Sequence, residues 1–180
     1  EGAYEVRYEM SQYRSLDLLH LAVTIDKKSV REKESLHIAF PFRLDSVTVR
    51  VGAGDAWISP EEGQIPGANR DFFSVQRWID VSGPTSGVTV SCPQAALFEL
   101  GAPIDERPLR RERKIWLERN ASSPLLFLYA MNNYWHTNYK ADQSGPVRFD
   151  IYLHFHGPFD AGQAERWGKE AVWGLVGRWE

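Results

Sequence analysis

The chain has 180 residues, of which 43% are hydrophobic and 25% are charged, the balance of an ordinary soluble domain with one core. Lys and Arg number 21 against 24 Asp and Glu, which gives a formal net charge of −3. Because the sequence has no polybasic tract to neutralise phosphates, nucleic-acid binding is disfavoured. Its single cysteine, Cys92, allows no internal disulfide, so burial must hold the fold together.

The sequence predicts no membrane-spanning segment. Its longest uncharged stretch, residues 120–139, is apolar only over residues 124–131. A spanning helix needs roughly 20 apolar residues, so this stretch is far too short. No targeting signal opens the chain, and nothing in the sequence distinguishes a cytoplasmic from a periplasmic or secreted protein.

Alternation of apolar and polar residues with a period of two, typical of strands with one buried face, recurs through most of the chain. Residues 125–131 are instead apolar on both faces, which predicts a central strand covered on both sides. Turn-rich loops separate the runs, the longest over residues 52–70. The predicted strands, about ten, are 4–10, 19–25, 36–40, 47–51, 72–81, 88–92, 96–100, 114–118, 125–131 and 147–155.

One segment has helical spacing. Ala164, Trp167 and Ala171 recur at that spacing, with Asp160 placed as N-cap and Gln163 at the third helical position. The helix is predicted over about 160–176, after strands and loops over about 1–158. Since there is no internal repeat or linker, residues 1–180 are predicted to form one all-β domain, a sandwich of two large antiparallel sheets.

A cluster of amides and aromatic rings directly follows the most apolar strand. It contains Asn132, Asn133, Trp135, His136 and Asn138. Amides can hydrogen-bond vicinal hydroxyls and an aromatic face can cover a pyranose ring, so the cluster suits sugar recognition. The alternative is a loop whose Asn side chains satisfy its own backbone, with Trp135 plugging the core.

Arg77 is the second candidate sugar contact. Strict alternation over residues 72–81 places its guanidinium on the apolar face, where a lone charge is costly. It therefore needs a carboxylate partner or a ligand. A structural ion pair or a bulge is the commoner explanation, in which case Trp78 is the buried side chain.

Other ionisable residues give no catalytic or metal prediction. His154 and His156 could supply two zinc ligands, but no second cluster has ligand spacing, so they are interpreted as the polar face of a strand. Glu61, Glu62 and Asp71 flank a loop and could form a glycosidase pair. Loop carboxylates are usually solvated or capping, and no catalytic residue is assigned.

Residues 60–82, PEEGQIPGANRDFFSVQRWIDVS, resemble the C-terminal β-sandwich region of glycoside hydrolase family 38, the α-mannosidases. Further similar segments follow the order of that family, and the terminal helix with Trp167 and Gly168 also resembles it. Together the resemblance covers nearly the whole chain. The further segments are 25–34, 39–42, 87–90, 132–138 and 143–147.

The resemblance implies a galactose-mutarotase-like supersandwich and a limited function. In that family the zinc ligands and the nucleophile belong to an N-terminal α/β domain and an adjoining helical region, which these residues do not contain. The chain alone is therefore expected to be inactive, to hold no cofactor, and to pack on a catalytic domain that holds zinc. Arg77 and the 132–138 cluster would contact sugar at the cleft edge. Family members usually continue with more strands, so a portion of a larger protein is expected.

Three alternatives stay open. The first is a carbohydrate-binding module for mannose-type sugars, built on the 132–138 cluster. The second is an aldose-epimerase-like enzyme, in which His136 or His154 would face one of the carboxylates Glu61, Glu62 and Asp71. The third is a purely structural sandwich that self-associates through exposed strand edges.

Overall fold

A computed structural model describes residues 4–31, 34–102, 117, 120–133 and 142–173, and the structural statements below concern these ranges. No helix within them is long and apolar enough to cross a membrane. The elements are β1 Glu5–Gln12, β2 Leu18–Lys27, β3 Ser35–Pro41, β4 Thr48–Ala53, β5 Ala56–Ile58, β6 Phe73–Ser74, β7 Ile79–Ser82, β8 Gly87–Ser91, β9 Leu97–Leu100, β10 Leu125–Asn132, β11 Gly145–His156 and α1 Ala161–Trp173.

The strands form two antiparallel sheets. The large sheet has the order β1-β2-β11-β8-β7-β4-β5, and the small sheet has the order β3-β10-β9-β6. Apolar side chains from the inner faces of both sheets form one buried core, with Val49 and Val81 from the large sheet against Phe98 and Leu126 from the small one. The predicted all-β sandwich of two antiparallel sheets is confirmed.

The predicted strand 72–81 is two strands in different sheets. Phe73 pairs with Phe98 in the small sheet, whereas Ile79 pairs with Val90 in the large sheet. The chain crosses between the sheets over residues 75–78, so alternation does not continue through Arg77. Trp78 is buried at the crossing, as the bulge explanation predicted.

Two further strand predictions need comment. β10 is central in the small sheet, as predicted, but its burial alternates: Leu126 and Leu128 are buried while Phe127 and Tyr129 are half-buried. The three-residue β5 was missed because it lies inside the turn-rich loop over residues 52–70. The predicted strand 114–118 lies outside the described residues apart from Leu117.

The helix begins where the capping signal predicts. The Asp160 carboxylate accepts a hydrogen bond from the Gln163 N–H at 2.8 Å, which satisfies one of the free donors of the first turn. Ala164 and Gly168 are buried against the outer face of the large sheet, the face opposite the core. Gly168 is needed there because a Cβ would lie 2.5 Å from the Trp78 ring. The helix thus covers polar positions of β7, β8 and β11.

Candidate functional site

The predicted sugar cluster begins at the end of β10, where the structure describes Asn132 and Asn133. The Asn133 Oδ1 accepts from the Glu34 N–H at 2.8 Å, and its Nδ2 donates to the Val30 carbonyl at 2.6 Å and to Glu34 Oε1 at 3.2 Å. This amide therefore holds the β2–β3 connection, and the backbone groups that it satisfies belong to that distant segment and not to its own loop. Trp135, His136 and Asn138 lie outside the described residues.

Glu34 is the centre of a polar network at this end of the sandwich. Its carboxylate forms an ion pair with the buried Lys27 and accepts from the Tyr4 hydroxyl. Burial opposes its charge, but the hydrogen bonds from Lys27 and Tyr4 outweigh burial and lower the pKa of Glu34. The adjoining cavity, lined in part by Leu36 and Met131, measures about 20 Å³, which suits a single water and excludes a sugar ring.

Arg77 lies at the crossing between the sheets and not on an apolar strand face, and it has a carboxylate partner. Its Nη2 donates to Glu165 Oε1 of α1 at 2.6 Å and also to the Gly54 carbonyl. The second oxygen of Glu165 accepts from Trp78 Nε1 at 2.9 Å. Burial raises the pKa of Glu165, but the hydrogen bonds from Trp78 and Lys169 and the charge of Arg77 lower it by more than burial raises it. The net shift of the pKa is therefore downward. This ion pair anchors the helix to the crossing between the sheets.

The structure does not bring Arg77 and Asn133 together. Arg77 binds the β4–β5 hairpin through Gly54, at one edge of the large sheet. Asn133 binds the loop that follows β2, near the opposite edge of that sheet. The amide of Asn133 is engaged at both ends, whereas Arg77 binds protein groups through Nη2 and its Nε is buried without a hydrogen-bond partner. A single sugar site containing both is therefore not what the geometry favours.

A buried polar cluster under α1 was missed by the sequence analysis. The fully buried Asp80 accepts from the hydroxyls of Ser82 and Thr89 and lies 2.8 Å from His156 Nε2. Arg50 Nη1 donates to Ser82 Oγ at 3.0 Å. Burial disfavours the charged His156, but the hydrogen bond and charge of Asp80 outweigh burial and raise its pKa.

Alternation carried a signal for this cluster. Arg50, Asp80 and Thr89 each stand between aliphatic residues that face the core, so period two places all three on the outer face of adjacent strands. Their burial could not be deduced, because it comes from a helix that begins about seventy residues after Thr89.

A groove lies between the β1–β2 loop, the end of β11 and α1. It has a volume of about 590 Å³ and is lined by Asp17, His154, Gln163, Trp167 and Glu170 among others. The His154 ring stacks on Trp167 with centroids 4.6 Å apart. Burial, with the charges of Arg166 and His156, lowers the pKa of His154 to about 4, so this imidazole is neutral at pH 7. The volume is in the range of small-molecule sites.

The residues of the epimerase-like alternative have other neighbours. Glu61 accepts from the Ser122 N–H at 3.1 Å, and Asp71 accepts from the Leu117 N–H at 3.0 Å. His154 faces Trp167 instead of either carboxylate. A different pair, His37 Nε2 and Glu99 Oε1 at 3.2 Å, lies on the outer face of the small sheet.

The described residues do not fit a metal site. Within the ranges given above, no three His, Cys, Asp or Glu side chains come together as ligands. The carboxylate–imidazole pairs of the described residues contribute two donors each: Asp80 with His156, Asp150 with His20, and Glu99 with His37. A zinc ion would need further donors beside any of these pairs.

Comparison with known proteins gives similarity in structure alone. No protein-family model and no curated protein matches the chain. An α-mannosidase from Enterococcus faecalis V583 superposes with a TM-score of 0.64 at 13% identity, covering 93% of this chain and 18% of that chain. A glycosyl hydrolase family 38 protein from Enterococcus faecalis gives 0.62 at 14% identity, with the same coverage of 93% and 18%.

These matches establish the fold. The chain has the β-sandwich architecture of a portion of family 38 glycoside hydrolases, so the family resemblance expected from its sequence segments is confirmed at that level. It spans 18% of the length of the two enzymes that it matches. The activity of the rest of such an enzyme does not follow from a shared fold.

Proposed function

We propose that this chain is a non-catalytic β-sandwich module of a larger α-mannosidase-like glycoside hydrolase, and that it packs on the catalytic domain of that enzyme. The observation that carries the proposal is the coverage of the structural match, 93% of this chain against 18% of an α-mannosidase. The match includes nearly all of this chain but only a small part of that enzyme, as expected for one module of a longer polypeptide.

The polar groups of the described residues support a structural role. The carboxylates of Asp80, Glu165 and Glu34 each bind side chains of the same chain, and Glu165 holds α1 against Arg77 and Trp78. Zinc, if the parent enzyme uses it, would be held outside these residues. Of the predicted sugar contacts, Asn132, Trp135, His136 and Asn138 are those proposed to line the sugar cleft.

Activity of the isolated and the complete protein tests this proposal. The purified 180-residue chain should release no nitrophenol from an aryl α-mannoside in the presence of zinc. The natural polypeptide or complex that contains the chain should release it, and chelation should abolish that release. Zinc-dependent release by the isolated chain would contradict a non-catalytic role. A natural polypeptide or complex without glycosidase activity would contradict the proposal that the chain is part of a glycoside hydrolase.

A carbohydrate-binding module is the second candidate, and the groove beside Trp167 favours it. The groove combines aromatic rings with the amide of Gln163 and the carboxylates of Asp17 and Glu170, the mixture that recognises sugars. Titration with mannose and mannobiose, followed by amide NMR, separates two locations. Shifts at residues 154–157 and 163–170 would place sugar in this groove, and shifts at residues 132–138 would place it in the predicted cluster. No shift at millimolar sugar would remove the candidate.

A further inference from the structure

His154 differs from the other histidines in the described part of the chain. Each of those pairs with a carboxylate: His20 with Asp150 at 3.0 Å, His37 with Glu99 at 3.2 Å, and His156 with Asp80 at 2.8 Å. His154 is half-buried, yet it has no hydrogen bond to any residue that the structure describes. Polar groups withdrawn from solvent usually have a partner, so both ring nitrogens of His154 are left for water or a ligand.

His20 and His154 occupy similar positions on the outer face of the large sheet. The His20 ring stacks on Tyr152 with centroids 4.7 Å apart, and the His154 ring stacks on Trp167 at 4.6 Å. Stacking orients both imidazoles, but only His20 has a carboxylate, Asp150, beside its nitrogen. His154 instead lines the groove of about 590 Å³ next to α1.

Other polar side chains of the groove are also available to a ligand. The Asp17 carboxylate is exposed and has no cationic partner among the described residues. Its carbonyl accepts from the Phe155 N–H at 2.8 Å, which holds the β1–β2 loop against β11. The side-chain amide of Gln163 lines the same space and has no hydrogen bond within the described ranges.

The available groups suit hydroxyls. A neutral imidazole offers one donor and one acceptor, an amide offers both, and a carboxylate accepts from two hydroxyls. His154 is neutral at pH 7, because burial and the charges of Arg166 and His156 lower its pKa to about 4. Trp167 adds apolar surface for the C–H groups of a ring.

The charges of the groove disfavour an anionic ligand. Two carboxylates, Asp17 and Glu170, line it with one guanidinium, Arg166, and that guanidinium pairs with Glu170 at 3.7 Å. His156, the second imidazole of the wall, is hydrogen-bonded to Asp80. A phosphate or carboxylate on a ligand would therefore meet the charge of Asp17 and no free cation of the lining, a like-charge contact that lowers affinity.

We infer that this groove binds an uncharged saccharide through its hydroxyl groups, that His154 hydrogen-bonds one of these hydroxyls, and that phosphorylated and acidic sugars are rejected. The inference rests on the second candidate function, the carbohydrate-binding module, and names the ligand class of the groove. It does not depend on mannose being the sugar.

Amide NMR titration of the 180-residue chain tests the inference. The neutral ligands are mannobiose, maltose and lactose, and the hexose that binds is then compared with its 6-phosphate. His154→Phe keeps a ring against Trp167 but removes both nitrogens. His20→Phe is the matched control, because it replaces a stacked imidazole of the same sheet face outside the groove, where Asp150 keeps Arg148 as its partner.

A neutral sugar should shift the amides of residues 15–18, 154–157 and 163–170. His154→Phe should weaken its binding about tenfold through the lost hydrogen bond, and His20→Phe should leave it unchanged. The 6-phosphate should bind about tenfold more weakly than the neutral hexose. Asp17→Asn should narrow that gap severalfold, an effect that a purely structural role of Asp17 would not produce.

Two results overturn the inference: equal binding of the hexose and its 6-phosphate, or neutral-sugar binding that His154→Phe leaves unchanged. Gln163→Ala and Asp17→Asn change exposed side chains, so they decide the matter if His154→Phe does not fold. Both should weaken binding of the neutral sugar, and unchanged binding in both overturns the inference.

The same titrations separate the inference from the candidate function. Shifts confined to residues 132–138 contradict the inference and leave a carbohydrate-binding module standing. Groove shifts with maltose or lactose but not with mannobiose support the inference and contradict a module for mannose-type sugars. If no neutral sugar shifts any amide at millimolar concentration, both are wrong.

Discussion

Two faces of the large sheet differ in whether they are covered by other parts of the chain. The outer face over β7, β8 and β11 is polar, yet α1 covers it and buries Asp80 completely. The inner face at β1 is apolar, yet Tyr8 and Met10 are among the most exposed large side chains described. In an ordinary sandwich the polar face meets solvent and the apolar face is covered.

The difference shows which surfaces this chain completes by itself. Asp80 has four neighbours from its own chain, Arg50, Ser82, Thr89 and His156, so its burial leaves no unpaired charge. The apolar side chains on the inner face of β1 have no comparable cover among residues 4–31, 34–102, 120–133 and 142–173. These side chains, called here the β1 row, are Val6, Tyr8 and Met10. The first face is covered within the domain, whereas the second stays exposed in the part of the chain that the structure describes.

The largest expected effect is at the covered face. Asp80→Ala should cost about 3–5 kcal/mol of unfolding free energy, because it leaves the buried His156 and the Arg50 guanidinium without their shared carboxylate. Glu9→Ala is the matched control on β1, where the carboxylate is 57% exposed and pairs with Arg148; it should cost less than about 1 kcal/mol. Urea unfolding measures both. Glu9 lies on the same outer face of the sheet, so similar losses would show that cover by α1 does not raise the cost of removing a carboxylate there.

The next largest effect is expected in the pH dependence of the unfolding free energy, which His154 and His156 should control. Stability from His154 is complete above its unfolded pKa of 6.5 and is lost as pH falls towards its folded pKa of about 4. From pH 6.5 to 5 the loss is about 1.5 kcal/mol, because the slope reaches about 1.4 kcal/mol per pH unit only once the unfolded imidazole is mostly protonated. Stability from His156, whose pKa is raised, is complete below pH 6.5 and is lost as pH rises through that raised value.

Unfolding midpoints between pH 5 and 8.5 should therefore be highest near pH 6.5. His154→Gln should flatten the acidic side and His156→Gln the basic side. The carboxylates of Glu34 and Glu165 have lowered pKa values, so they lose stability only below about pH 4.5 and do not interfere. A pH profile that neither substitution changes would show that the two imidazoles do not couple α1 to the sheet.

Gly168→Ala should have an intermediate effect. The new Cβ would lie 2.5 Å from Trp78 Cδ1, and the buried indole cannot move away, so α1 must shift at a cost of about 1–3 kcal/mol. Gly162→Ala in the same helix meets only the Asp160 carboxylate at 3.3 Å. That control should be near neutral, and thermal unfolding compares the pair. Equal melting temperatures would show that the helix does not pack tightly on Trp78.

The smallest effect is expected in the β1 row. Tyr8→Ser should change the unfolding free energy by no more than about 0.5 kcal/mol, because its side chain is 65% exposed and already in water. It should, however, lower binding of a hydrophobic dye to the isolated chain. A loss above about 2 kcal/mol would mean that the row is covered within the isolated chain.

Much of the fold could be predicted from local pattern. Alternation located β1, β2, β3, β4 and β8, and the capping signal at Asp160 located the helix. Arg77 was expected to need a carboxylate because alternation placed it on an apolar face, but alternation does not continue through Arg77, and its partner Glu165 lies 88 positions away. The crossing between sheets at residues 75–78 was missed because a strand that changes sheet and a continuous strand have similar local composition.

The candidate sites were less predictable. The amide chemistry of Asn133 was visible in the sequence, but its use on the Glu34 loop depends on β3 pairing with β10. Similarly, nothing near His154 in the sequence indicates that Trp167 stacks on it.

Period two decides which side chains share a face of a strand, because successive Cβ atoms point in opposite directions whatever the strand packs against. From this alone the chain specifies an apolar face on β1 and a polar face on β7 and β8. Whether each face is covered depends on elements brought together from distant positions: α1 over Asp80, and the edge of the small sheet one strand short of β1. Burial, and with it the pKa of His156 and the exposure of Met10, is therefore a property of the packed molecule.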